Sequence, residues 1–518
     1  MPRPLAANSF HLKSRLAIVL LGAFLGCSIE AAPLRFEIQF PPGLDNSTQT
    51  GRLFLILSRT NFPEPRLTLD STGLDAPQTL ARDIAGFGPR RTVVLDRTAF
   101  AFPLTKLATI AADDYWIQAV FDCNADLRLT DAPGNRFSQP SRVHVDPRRG
   151  GTFRVELTEE IAPERLPPDT DRLRFVKVPS GLLSKFFGRP IYLRAGIILP
   201  RDYGAHPERR YPVWVHIGGY GDRYTTVSTM MAADSEFRRI WLAEDTPRFI
   251  LVQLDGAGPY GDPYYVNSAN NGPYGDALVR ELIPQVESQF HAIGQPHARV
   301  LSGTSTGGWV SLALQIFYPD FFNGAWSSCP DPVDFRAFEL VDIYKDANAY
   351  LNEYGNERPS KRDLKGDVEL NMRREVGVEN LLGHGGRYTL SGSQWGAWNA
   401  TFSPRAANGE PAPLWDPQTG RMDSQVAAYW RRYDLRLVLE RDWKTLGPKL
   451  RGKLHIAAGE ADQYFLNNAV HLLEESLAQA SPPFEGKIVY GQGKGHGWMD
   501  LSLREMLEAM QTATLTKP

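Results

Sequence analysis

Residues 299–318 pass from an apolar strand segment, Arg299-Val-Leu-Ser302, through Gly303-Thr304-Ser305-Thr306-Gly307-Gly308 into the helical run Gly308-Trp-Val-Ser-Leu-Ala-Leu-Gln-Ile-Phe-Tyr318. A chain that turns from strand to helix so abruptly leaves room only for small residues two before and two after the apex. The apex residue, Ser305, is thereby lifted out of the sheet with its hydroxyl exposed, and the following helix aims its N-terminus at the same point. The surrounding pattern agrees. Pro212-Val-Trp-Val-His-Ile217 and Phe249-Ile-Leu-Val-Gln-Leu254 are nearly continuous apolar runs, as buried parallel strands require. Leu278, Leu282, Ile283, Val286 and Phe290 form a helical stripe within 276–290. Ala325-Trp-Ser-Ser-Cys329, Lys453-Leu-His-Ile-Ala457 and Lys487-Ile-Val-Tyr490 continue the series of strands. Strands alternating with helices predict an α/β fold, a mostly parallel sheet with helices on both faces.

That pattern does not fill the chain. With 518 residues the sequence is too long for one compact core. Arg3, Lys13 and Arg15 precede the apolar run 16–25, and small residues follow at Ala31 and Ala32, so residues 1–32 read as an export signal. The run is too short for a comfortable membrane span. Phe24-Leu25-Gly26-Cys27 also resembles a lipobox, which leaves a lipid anchor at Cys27 open beside a free periplasmic or extracellular form. Residues 33–160 carry short, partly alternating runs such as Leu34–Phe40, Gly51–Leu57, Tyr115–Phe121 and Thr152–Leu157, the signature of an all-β sandwich. The Pro-rich stretch 161–170 reads as a linker. The α/β domain is then expected over 171–334 and 449–518, with an insertion at 335–448 that reads mostly helical and serves as a lid or cap.

Composition excludes several functions. A formal net charge of -2 gives no basic surface for nucleic acid. Of three cysteines, Cys27 lies in the signal, and Cys123 and Cys329 are far apart, so neither a disulfide framework nor a zinc site is implied. Asp122-Cys-Asn124-Ala-Asp126 resembles the start of a calcium loop. It has Leu127 where the loop needs glycine, and a solvated acidic turn is the better reading. No metal or cofactor is expected.

The chemistry gathers around Ser305. A serine nucleophile needs a base, and His496 lies just past the strand at 487–490, in the Gly-rich loop Gly491-Gln-Gly-Lys-Gly-His496-Gly. The acid that orients it should follow the strand at 453–457. Asp462 fits the turn Gly459-Glu-Ala-Asp462, with Glu460 as the alternative. For the oxyanion hole, one N–H should come from Thr306 and another from the loop His216-Ile-Gly-Gly-Tyr220-Gly221. Tyr220 is the preferred donor there, Gly219 the next, and His216 reads as structural.

Together these motifs resemble the putative esterase family of α/β-hydrolases, which includes feruloyl esterases, esterase D and enterochelin esterases. The resemblance spans 171–334 and 450–518 and rests on His216-Ile-Gly-Gly-Tyr-Gly, Gly-Thr-Ser305-Thr-Gly-Gly, Gly-Glu-Ala-Asp462 and Gly-His496-Gly. It implies hydrolysis of a small or oligomeric carboxylic ester, and a β-sandwich ahead of the catalytic domain is similar to the layout of enterochelin esterases. The long insertion departs from the compact members. A serine peptidase of the prolyl-oligopeptidase kind and an inert exported binding protein are the competing functions. Against the peptidase, no propeller repeat is visible; against the binding protein, the triad is complete.

Two segments remain as candidate substrate contacts. Gly258-Pro-Tyr260-Gly-Asp262 recurs as Gly272-Pro-Tyr274-Gly-Asp276, with Asn267 and Asn271 between, and reads either as a pocket wall or as a turn-rich structural loop. Trp395 and Trp398 could stack on substrate or form the core of the cap.

Overall fold

The computed structural model describes residues 33–41, 48–73, 76–89 and 91–515. The signal segment and Cys27 lie outside the described residues.

The sheet that carries the site has eight strands: β1 (Leu173–Ser180), β2 (Ile191–Ile198), β3 (Val213–Ile217), β4 (Ile250–Leu254), β5 (Arg299–Thr304), β6 (Ala325–Ser328), β7 (Leu454–Gly459) and β8 (Lys487–Gly491). Their spatial order is β1-β2-β4-β3-β5-β6-β7-β8. From β4 to β8 every pairing is parallel, while β1 with β2 and β2 with β4 are antiparallel. The central strands β3, β4 and β5 bury both faces, which explains their unbroken apolar runs. One face packs on helix α1 (Thr306–Phe317), including Trp309, Val310 and Leu314. The other buries Trp214, Leu251 and Trp326 against Trp241, Leu507 and Met510 from flanking helices. The stripe at 276–290 forms as expected but is broken by a π-helical turn at Leu278–Leu282, ahead of Pro284.

The N-terminal region has a three-stranded sheet, with Leu34–Gln39 between Val93–Leu95 and Gly151–Glu156, and a seven-stranded sheet built around Gln49–Ser58, Gln78–Phe87 and Asp113–Asp122. Phe36, Ile38 and Val155 of the first sheet share one apolar core with Leu55, Leu80 and Phe121 of the second. Glu164 of the following Pro-rich stretch pairs with Arg223 at 2.7 Å and Arg194 at 3.2 Å, so that stretch is fastened to the α/β sheet.

Between β6 and β7 lie helices α2 (Met372–Leu382), α3 (Gln394–Phe402), α4 (Ser424–Trp430) and α5 (Leu435–Lys449), with one short hairpin, Pro359–Arg362 and Val368–Asn371. This segment has no core of its own. Phe338, Trp395, Trp398, Phe402 and Trp430 join the same cluster as Trp309 and the sheet residues. Helix α5 lies against α1 and so completes the helical layer of the sheet rather than covering it.

Candidate active site

Ser305 sits between β5 and α1 at φ 58° and ψ -122°, a conformation that side chains rarely adopt. The glycines around it are required by contact. A Cβ on Gly303 would fall 2.2 Å from Gly307 O, and one on Gly307 would fall 2.1 Å from Ile217 O. Gly308 is confined in the same way by Ser328 O, at 2.8 Å. Strand β5, the loop after β3 and helix α1 therefore meet with no space for a methyl group, and the strained serine is the consequence.

His496 Nδ1 and Asp462 Oδ2 are 2.9 Å apart, and Asp462 is fully buried after β7. Asp462 Oδ1 also accepts the Tyr464 N–H at 2.8 Å. Gln463 Oε1 takes the His496 N–H at 2.5 Å, and the Tyr464 ring meets the imidazole edge-on at 4.9 Å. Glu460 points away and pairs with His471 at 3.1 Å. Cys329, Asp462 and His496 lie close enough together to share a metal, the one such group among the described residues. The carboxylate and the imidazole are already spent on each other, and the Cys329 thiol faces the carbonyls of Gly495 and Trp498.

The Ser305 hydroxyl is directed at a residue that sequence reasoning missed. It donates to Asp331 Oδ1 at 3.3 Å, and no hydrogen bond joins it to His496 among the described residues. Asp331 lies three residues past β6, in Cys329-Pro-Asp-Pro-Val. Its other oxygen accepts from Tyr264 Oη at 2.8 Å, Thr306 Oγ1 at 2.9 Å, Trp398 Nε1 at 3.0 Å and Gln394 Nε2 at 3.4 Å. Burial pushes the Asp331 carboxyl above its usual range, and these donors pull against that shift. The available signal was positional: a carboxylate at the C-terminal end of the strand beside the nucleophile strand.

Thr306 opens α1, so its N–H belongs to the first turn, where no intrahelical acceptor exists. Tyr220 is tied to the insertion through Oη to Gly392 O at 2.6 Å, and Asp262 binds the loop by accepting from Gly221 N at 3.4 Å and Tyr264 N at 2.9 Å. Burial raises the Asp262 carboxyl to about 7. Gly219 lies in the same loop, its carbonyl accepting from Asp222 N at 3.0 Å.

The remaining candidates separate. Asn271 Nδ2 is buried and donates to Thr401 Oγ1 at 3.1 Å, and Asn267 is exposed and caps the Asp276 N–H at 3.0 Å. Tyr274 packs edge-on to Tyr265 and lines a cavity of about 280 Å³ with Asn124 and Tyr192, away from Ser305. Each of these three side chains thus has a partner within the protein, with Asn267 at its surface. Tyr260, in the same loop, is partly buried. Trp395 is cap core, packed between Trp398 and Trp415, whereas Trp398 reaches the Asp331 carboxylate.

Strand order, strained serine and paired His–Asp define an α/β-hydrolase. The family described as putative esterase matches residues 187–434, a little under half of the chain. The match takes in the elbow and the loop after β3 and ends before Asp462 and His496. No curated protein matches the chain. Solved structures similar to it include a ferulic acid esterase at 12% identity, covering 66% of this chain and 97% of the other with a TM-score of 0.38. An S-formylglutathione hydrolase from Agrobacterium tumefaciens is also 12% identical, covering 66% and 91%, TM-score 0.35. Dipeptidyl peptidase 4 of Porphyromonas gingivalis is 13% identical, covering 85% of this chain and 46% of its own, TM-score 0.36.

Proposed function

We propose that this protein is an exported serine esterase that cleaves carboxylic esters through an acyl-enzyme intermediate. Ser305 Oγ attacks the ester carbonyl while His496 Nε2 takes its proton, and the Tyr220 and Thr306 N–H groups receive the charge that develops on the carbonyl oxygen. His496 returns the proton to the departing alcohol, and water then attacks the acyl-enzyme by the same base to release the acid. Asp462 holds the imidazole with Nε2 free and stabilises its charged form. The resting hydroxyl faces Asp331, so the reaction begins with a turn about χ1 from one staggered well to another. Such loosened contacts are common before substrate binds.

The observation that carries this reading is the Ser305 backbone, strained at φ 58°, on the same edge of the sheet as the hydrogen-bonded Asp462–His496 pair. Export is supported by the basic, apolar and small residues of 1–32, and a lipid anchor at Cys27 is its variant. A fluorophosphonate probe should label the protein at Ser305, and Ser305→Ala should abolish both labelling and p-nitrophenyl ester turnover by several orders of magnitude without lowering the melting temperature. An Ala variant that keeps more than a small fraction of the rate would overturn the assignment.

A further inference from the structure

Asp331 is placed against the nucleophile in a way that bears on the substrate. Its backbone N–H donates to Ser305 O at 3.1 Å, and the residue is only 1% exposed. Its two carboxylate oxygens are satisfied very unequally. Oδ2 accepts from Tyr264 Oη, Thr306 Oγ1, Trp398 Nε1 and Gln394 Nε2, donors whose protons take no part in the hydrolysis. Oδ1 accepts from Ser305 Oγ alone, at 3.3 Å.

The reaction removes that one donor. Once the Ser305 hydroxyl turns to His496, Oδ1 loses its hydrogen bond. The hydroxyl proton then passes to the imidazole, and in the acyl-enzyme Oγ is an ester oxygen that carries no proton. From attack until the acid is released, Oδ1 is therefore a carboxylate oxygen with no donor from the protein. A buried acceptor left in that condition is costly, and more so when it belongs to a charged group. Its charge also opposes the negative charge that develops on the adjacent carbonyl. The alcohol departs halfway through, so the acyl group is the part of the substrate present throughout. Its carbonyl carbon is bonded to Oγ, and the place beside Oδ1 that the serine vacates has the size of a hydroxyl. A substituent on the carbon next to the carbonyl is the part of an acyl group that reaches it.

Resting on the esterase reading, we propose that Asp331 Oδ1 recognises a hydroxyl on the carbon next to the ester carbonyl, so that the substrate is a 2-hydroxyacyl ester. A hydroxyl brings one donor to one vacant acceptor and replaces the serine hydroxyl like for like. An ammonium in the same place would bring three N–H groups and leave two of them without partners. A plain acyl group offers Oδ1 nothing.

Turnover of the p-nitrophenyl esters of 2-hydroxybutanoic, butanoic and 2-methoxybutanoic acids tests this. In the unmodified protein the hydroxy ester should be favoured over butanoate roughly tenfold or more in kcat/KM, after division by the hydroxide-catalysed rates, as a site built for a substrate hydroxyl discriminates. The methoxy ester, an acceptor without a donor, should be the poorest of the three. Asp331→Asn supplies the converse. Trp398 Nε1 can only donate, so the amide oxygen takes the Oδ2 position and the amide N–H turns towards the substrate. The hydroxy-over-methoxy preference should then fall close to unity. Ratios taken within one protein cancel any loss of folded enzyme, and the comparison of three esters stands without the variant.

A second arm reads binding alone. Ser305→Ala removes the resting donor from Oδ1, and calorimetry should show the anilide of 2-hydroxybutanoic acid binding at least several-fold more tightly than that of butanoic acid. Adding Asp331→Asn should remove the difference. Failure of Ser305 to react with fluorophosphonate would count against the esterase reading and leave this arm intact. Equal handling of hydroxy and plain acyl groups, in turnover or, where there is none, in binding, overturns the proposal. So does a preference that survives Asp331→Asn, or a 2-aminobutanoate ester preferred to the hydroxy ester.

Discussion

At the scale of single residues the site poses a choice among carboxylates. Glu460, Asp462 and Asp331 all lie at C-terminal ends of neighbouring strands, and only Asp462 contacts the imidazole. An amide at that position would reverse the hydrogen-bond polarity and favour the tautomer that presents N–H rather than a lone pair to the serine. Asp462→Asn should therefore lower kcat by about 10⁴-fold. Glu460→Gln disturbs only a partly exposed pair with His471 and should change kcat little, by less than about 1 kcal/mol of barrier. Steady-state kinetics on both variants decide the matter, and a larger loss at Glu460 would reassign the acid. Asp331 has a different place: its donors come from three separate segments, so it locks the elbow with α1, the 258–276 loop and α3 together.

At the scale of elements, β3 and β5 are joined beneath the elbow by a small polar bridge. Trp214 Nε1 donates to Ser302 Oγ at 2.7 Å, which leaves the Ser302 hydroxyl proton for His216 Nδ1 at 3.0 Å. His216 must then be neutral, and burial lowers its pKa from 6.5 to about 4. The unfolded chain takes up this proton near 6.5 and the folded chain only near 4, so the contribution to stability is complete above that window and is lost as pH falls through it. The slope is at most about 1.4 kcal/mol per pH unit, less where solvent screens the ring. Denaturant melts between those two pH values should show it, and His216→Gln should flatten it. An unchanged slope would mean that another group titrates.

Much of this framework is legible in the sequence for physical reasons. The elbow admits only small residues, and strands buried on both faces can only be apolar, so β3, β4, β5 and the Gly303–Gly308 turn stand out. Strands β1 and β2 do not. They are antiparallel, and Arg174, Lys177 and Arg194 interrupt their apolar pattern. Asp331 was hidden because Tyr264, Gln394 and Trp398, which identify its role, lie more than sixty residues away in the chain. The cap tryptophans carry the same ambiguity: stacking residues and core residues look alike until burial is known.

At the scale of the whole molecule, the segment between β6 and β7 is held from two sides, by the α/β sheet beneath and by the N-terminal sheets beside it. Arg52, fully buried on the seven-stranded sheet, donates Nε to Leu381 O at 2.8 Å and pairs with Asp83 at 2.7 Å. Asp83 in turn binds His384 at 2.9 Å, and Phe54, Ile56 and Val120 pack on Leu381. Leu381 lies in the last turn of helix α2, whose Glu379 caps α3, and α3 delivers Trp398 to Asp331. A continuous run of contacts thus joins the β region to the serine, and its worth can be measured. Arg52→Ala leaves a buried carbonyl without its donor and should cost about 1–3 kcal/mol. If the β region braces the catalytic machinery, scanning calorimetry should show a lowered transition shared by both regions, and kcat/KM on p-nitrophenyl esters should fall with it. If the β region merely docks on an independent enzyme, only its own transition should move and the kinetics should stay at the wild-type value. The shared core of sheet and insertion, with Tyr220 of the loop after β3 bonded to Gly392 of that same insertion, favours the first outcome.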